Sequence, residues 1–149
     1  MGERIVSPCV GVCSTTLGDR VCRGCQRTDG EIRDWPAYSG GERRDRLADI
    51  DRLRGEIAAR HLVVEDAALL ESQLQRHRIR FREDQPALSR AVELLRVGRG
   101  RIQELARYGL AGLEHQDAPA LHAAIARDLL AAADRRLSTS FASTDLPTP

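Results

Sequence analysis

Apolar residues recur every three or four positions over most of the chain beyond residue 28, and that spacing predicts helices. The first start signal is Thr28-Asp29-Gly30-Glu31, a capping box in which Thr28 caps the backbone and Glu31 reaches back. Ile32 and Trp35 follow on one helical face, and Pro36 keeps this helix short. Ser39-Gly40-Gly41-Glu42 is a second capping box. It opens a longer helix with Leu47, Ile50, Leu53 and Ile57 on one stripe and Arg, Asp and Glu on the opposite face. Gly55 weakens that helix by about 1 kcal/mol relative to Ala.

From residue 65 to about 137 the pattern stays helical. Ala67, Leu70, Leu74, His77 and Phe81 form a stripe that Pro86 breaks. Leu88, Val92, Leu95, Ile102 and Leu105 form the next, interrupted by Gly98 and Gly100, and Gly109 and Gly112 mark a turn region. Asp117, with Pro119 just inside, starts a last helix through Leu121, Ile125, Leu129 and Ala133. Residues 138–149 are rich in Ser, Thr and Pro and read as a disordered tail. Only Arg78-Ile79-Arg80-Phe81-Arg82 alternates with a strand period, and it is short. The predicted fold is all-α: a small Cys-rich metal-binding N-terminal loop, then amphipathic helices forming an antiparallel bundle or hairpin. The expected partition is a Cys-rich module with capping helices over 1–60, a helical extension over 61–137 and a tail over 138–149.

Residues 1–30 depart from the helical pattern. Their apolar residues, Ile5, Val6, Val10, Val12, Leu17 and Val21, are too few and too small to build a core, so this segment needs a staple. All four cysteines of the chain lie here: Cys9, Cys13, Cys22 and Cys25, with three, eight and two residues between successive members. In a reducing compartment such clustering points to a metal rather than to disulfides. Thiolates are soft ligands that suit zinc, copper(I) or iron–sulfur clusters. Four of them close a tetrahedral shell or hold the two irons of a [2Fe–2S] cluster. Cys22-Arg23-Gly24-Cys25 reads as a tight knuckle in which Gly24 supplies a positive φ and backbone N–H groups point at sulfur. Pro8 stiffens the approach to Cys9, and Arg20, Arg23 and Arg27 could offset the negative charge of the thiolates. Trp35 is expected to cover the loop by packing on Val10, Val12 and Val21, the alternative being the helix from residue 42 through Leu47 and Ile50.

Composition narrows the functions open to the chain. The net charge is +1, so no global field draws it to nucleic acid or to a membrane surface. All 23 basic residues are Arg, which a GC-rich genome accounts for. Aromatics are 3%, too few for a nucleic-acid stacking platform. No apolar run reaches the roughly 18 residues of a membrane span. Met-Gly-Glu-Arg-Ile-Val-Ser-Pro lacks the apolar core of a signal peptide, and Val6 stands where a myristoylation motif wants Ser or Thr. The expected location is therefore the cytoplasm. The basic run Arg76-His77-Arg78-Ile79-Arg80-Phe81-Arg82, with Arg90, Arg96, Arg99 and Arg101, could face an acidic partner or RNA. Pairing of these charges with Glu71, Glu83, Asp84 and Glu93 on a solvated helix face is the preferred reading. His61, His77, His115 and His122 have no Cys, His or carboxylate at ligand spacing. No phosphate loop is present and the sequence places no His near the cysteines, so no catalytic residue or small-molecule substrate is identified and the sequence leaves enzyme activity open, favouring none.

Ser7-Pro8-Cys9-Val10-Gly11-Val12-Cys13, then Cys22-Arg23-Gly24-Cys25-Gln26-Arg27-Thr28, then Glu31-Ile32 and Trp35 together resemble the YdhL-like family of small bacterial proteins. That family is catalogued as domain of unknown function 1289 and described as predicted iron–sulfur proteins. The resemblance covers about residues 5–57 and implies that Cys9, Cys13, Cys22 and Cys25 are cluster ligands. It names no reaction and says nothing of residues 60–149. Spacing alone allows zinc as well as iron, and the resemblance favours an iron–sulfur cluster. The expected role is electron transfer or accessory work, with the helical region docking another protein. The alternative is a zinc-stapled structural or interaction module with no redox role, and nucleic-acid binding is the weakest candidate.

Overall fold

A computed structural model describes Pro8, residues 20–114 and residues 116–144, with side chains up to residue 136. Among these residues the chain is mostly helical, with five α-helices and one small sheet. The helices are α1 (Asp29–Asp34), α2 (Gly40–Ala58), α3 (Ala67–Arg76), α4 (Ala87–Gly98) and α5 (Ala118–Thr144). The strands are β1 (Leu62–Val64) and β2 (Leu110–Gly112). Two compact units result: residues 1–50 with 129–149, and residues 51–128.

In the first unit both capping boxes form. Glu31 N–H donates to Thr28 Oγ1 at 3.0 Å and Thr28 N–H to Glu31 Oε1 at 3.1 Å. Ser39 and Glu42 repeat the exchange at 3.1 and 3.2 Å. Between them, Trp35–Ala37 forms a single 3₁₀ turn around Pro36, because proline cannot donate to a continuing helix. Tyr38 then meets Trp35 edge-on, with ring centroids 6.1 Å apart. Among the described residues of this unit, Val21, Cys22, Cys25, Trp35, Leu47, Ile50, Leu129, Ala132 and Ala133 are buried and apolar. Helix α5 runs on to Thr144, through the first residues of the segment read as a tail.

In the second unit Ile57, Leu62, Leu70, Leu74, Leu94, Leu95, Leu110, Leu121 and Ile125 are all fully buried. The all-α expectation needs amending here. β1 and β2 pair antiparallel in the register Leu62↔Gly112, Val63↔Ala111 and Val64↔Leu110. Three residues per strand cannot display an alternation, and Gly109 and Gly112 read as turn residues alone. The stripe drawn from Ala67 to Phe81 is also shorter than expected. Arg78 takes φ 57°, Ile79 N–H bonds Leu74 C=O at 2.9 Å, and Arg78 N–H bonds Gln75 C=O at 3.2 Å. This Schellman closure ends α3 with the apolar Ile79 turned back over Leu74, so residues 78–82 form no strand. Likewise α4 stops at Gly98, and Ile102 follows after a turn. The expected start of α5 holds: Asp117 Oδ1 accepts from Ala120 N–H at 2.9 Å.

The buried polar residues described in this unit are partnered, with Arg54 lying 3.9 Å from Glu93. Asp51 Oδ1 accepts from Ser89 Oγ at 2.8 Å, and Asp51 Oδ2 accepts from Arg82 Nη2 at 2.6 Å. Gln85 Nε2 donates to Ser89 Oγ at 2.9 Å while Gln85 Oε1 accepts from Arg82 N–H at 3.1 Å. Glu93 takes Arg96 at 2.5 Å. Among the described residues no buried side-chain polar atom lacks a partner, so this cluster has the saturation of a structural lock rather than open valences for a ligand.

Candidate metal centre

The cysteine turn is built by backbone bonding before any side chain acts. Val21 and Thr28 form an antiparallel bridge, Cys22 N–H bonds Arg27 C=O at 2.8 Å, and Gln26 N–H bonds Cys22 C=O at 2.8 Å. These bonds fold residues 21–28 back on themselves and set Cys22 and Cys25 on one tight turn. Its left-handed residue is Gln26, with φ 61°, rather than the expected Gly24. Gln26 is held there by its neighbours, and its side-chain Nε2 also donates to Arg23 C=O at 2.8 Å.

Cys22 is 2% exposed and Cys25 1%, and the two form no disulfide. Arg27 Nε donates to Cys25 Sγ at 3.4 Å. Burial is the largest influence on Cys25 and pushes its thiol pKa up, and the neighbouring Cys22 adds to the rise; the Arg27 side-chain and backbone hydrogen bonds to the sulfur pull the other way. Without a metal the sulfur is therefore held as a buried thiol. A coordinating cation deprotonates a thiol outright, and hydrogen-bond donors aimed at the sulfur suit the resulting thiolate. Cys22 and Cys25 thus fit two positions of a thiolate shell. Cys9 and Cys13, the other two expected ligands, lie outside the described residues. Among the described residues no three His, Cys, Asp or Glu side chains gather as a metal-binding group.

Trp35 reaches this turn through Arg27. Its ring is 7% exposed, the Arg27 guanidinium lies over it at 5.0 Å, and Arg43 lies 5.9 Å from the ring centroid. Arg43 is tethered to the backbone, its Nε donating to Trp35 C=O and its Nη2 to Pro36 C=O, both at 3.1 Å. Of the valines expected beneath Trp35, Val21 is buried, while Val10 and Val12 lie outside the described residues. The sequence named Arg27 as a charge offset but carried no sign that it would stack on Trp35, or that Arg43 would join from eight residues further on.

Other chemistry-bearing residues serve elsewhere. His61 Nε2 lies 2.7 Å from Asp128 Oδ2, and this bond is the main cause that holds the Asp128 carboxyl below its ordinary pKa. His122 is pushed below its ordinary value, first by burial and then by Arg99 and Arg96. His77 is exposed and tilted against Tyr108, and His115 lies outside the described residues. Of the basic residues singled out, Arg82 pairs with Asp51 and Asp84, and Arg90 pairs with Glu71 at 3.0 Å and stacks on Phe81 at 4.6 Å. No described helix is long and apolar enough to cross a membrane.

Taken with the fold, this defines a small, mostly helical protein with a buried cysteine turn against its first helix. Residues 7–54 match a family described as Protein of unknown function (DUF1289), which agrees with the resemblance read from the motifs. No curated protein and no solved structure matches the chain.

Proposed function

We propose that the chain is a metal-binding protein in which Cys9, Cys13, Cys22 and Cys25 hold an iron–sulfur cluster that serves electron transfer or an accessory role. The observation that carries this reading is the buried Cys22–Cys25 turn with Arg27 Nε on the Cys25 sulfur. The motif resemblance favours iron over zinc, while the family matched over residues 7–54 is of unknown function and names no metal. When bound, the cluster would supply one-electron exchange. The chain's own residues would exclude water from the sulfurs, donate hydrogen bonds to them and present helical surface to a partner protein. In this reading residues 1–60 are the working module and residues 61–137 the docking extension.

The test is the visible spectrum of the protein purified with and without air, followed by metal analysis of single Cys→Ser variants. A brown protein with charge-transfer bands that bleach on reduction supports the cluster. A colourless protein with one zinc per chain turns the same four ligands into a structural or interaction module. Each single Cys→Ser change removes most of the metal, because three thiolates leave an open coordination position. If two such variants keep full metal content, the four-cysteine site is wrong.

A further inference from the structure

Arg27 is 4% exposed, and among the described residues it pairs with no carboxylate. A guanidinium does not shed its charge in a protein, and a buried charge is costly unless a partner balances it. The side chain's partners among the described residues are Cys25 Sγ, 3.4 Å from Nε, and the Trp35 ring, at 5.0 Å. A neutral thiol is a weak acceptor. The face of a Trp ring attracts a cation but carries no net charge. A thiolate does carry one, and it stands at the position Arg27 already addresses.

We propose that Arg27 is the internal counter-cation of the cysteine site, a positioning residue that favours the metal-bound thiolate of Cys25 and ties metal occupancy to Trp35. The proposal rests on the metal reading of the four cysteines. It is independent of which metal is bound: four thiolates around Zn²⁺, or around the oxidised two-iron core, leave two net negative charges in either case, and Arg27 offsets one of them. Charge and stacking are separable within this side chain. Lys carries the charge as a compact ammonium with no planar face for Trp35, and Gln keeps a donor without the charge. Arg43 serves as a control, since it meets the same ring at 5.9 Å but donates to backbone carbonyls.

The full chain is reconstituted separately with zinc and with iron plus sulfide. Metal affinity is read by competition with a chelator, and Trp35 emission is followed in the same titration. Arg27→Gln is expected to weaken metal affinity about 10–100-fold, the range for residues that support metal ligands from outside the coordination shell. Arg27→Lys keeps affinity near wild type but loses the response of Trp35 emission to metal, and Arg43→Gln leaves affinity unchanged. Circular dichroism confirms that the variants fold. Should Arg27→Gln fail to fold, the Lys variant decides through its two readouts. Wild-type affinity in Arg27→Gln overturns the proposal. So does a Lys variant as weak as the Gln variant, which would assign the effect to packing, or one whose emission still follows the metal. A wild-type chain that takes up neither metal removes the metal reading itself, whereas wild-type uptake with an unaffected Gln variant removes only the role of Arg27.

Discussion

At Gly109 the backbone takes φ 75°, and its carbonyl accepts from both Glu65 N–H and Asp66 N–H, at 2.8 and 3.2 Å. A Cβ there would stand 2.3 Å from the Asp66 carbonyl oxygen. Left-handed backbone costs a non-glycine residue roughly 1–2 kcal/mol, and the clash adds to that. Gly109→Ala is therefore expected to destabilise the fold by about 2 kcal/mol or more, seen as a lower urea midpoint; an unmoved midpoint contradicts the strain. Gly109 was legible as a turn residue because glycine is the residue such turns favour. Gln26 and Arg78 were not, since they take the same backbone region without glycine, and only the surrounding hydrogen bonds hold them there. The Asp51–Ser89 bond joins residues 38 apart, a separation at which no local pattern speaks. Arg27 lies between these cases: its charge was visible beside the cysteines, its stacking on Trp35 was not.

Helices were legible at their starts more than at their ends. Thr28, Ser39 and Asp117 each accept the backbone N–H that their sequence position predicts, because a cap is a local contract between residues three apart. The ends of α3 and α4 depended on turns that the apolar stripes ran straight through. Strands β1 and β2 pair residues far apart in sequence, with too few positions to show a period. The six-residue α1 is the element most dependent on its cap, since so short a helix has little stability of its own. Thr28→Ala removes the acceptor for Glu31 N–H and is expected to cost about 1 kcal/mol, while Thr28→Ser, which keeps the hydroxyl, costs much less. Thermal unfolding measures the difference. Equal melting temperatures for the Ala and Ser variants would show that the capping bond adds nothing beyond the packing of α1.

At the scale of the whole molecule the division into two units was hidden, because each boundary falls inside a helix: Ile50 and Asp51 are neighbours in α2, and Asp128 and Leu129 in α5. Neither apolar stripe breaks there. The two units nonetheless differ in what they bury. Residues 51–128 contain Ile57, Leu62, Leu70, Leu74, Leu94, Leu95, Leu110, Leu121 and Ile125 at under 2% exposure, enough apolar side chains to stand without a metal. In the other unit the side chains buried to the same degree include Cys25, one of the four cysteines of the proposed metal site. Metal binding is folding free energy for the segment that holds the ligands. On metal removal, amides of residues 20–34 are therefore expected to lose hydrogen-exchange protection, while those of α3, α4 and residues 118–128 keep theirs. Helical circular dichroism should fall only slightly, because most of the helical residues lie beyond residue 42. Exchange that accelerates equally in both units would mean one cooperative structure and contradict the partition. Exchange unchanged at residues 20–34 would mean that the cysteine turn owes its order to the Cys22–Arg27 and Val21–Thr28 backbone bonds alone.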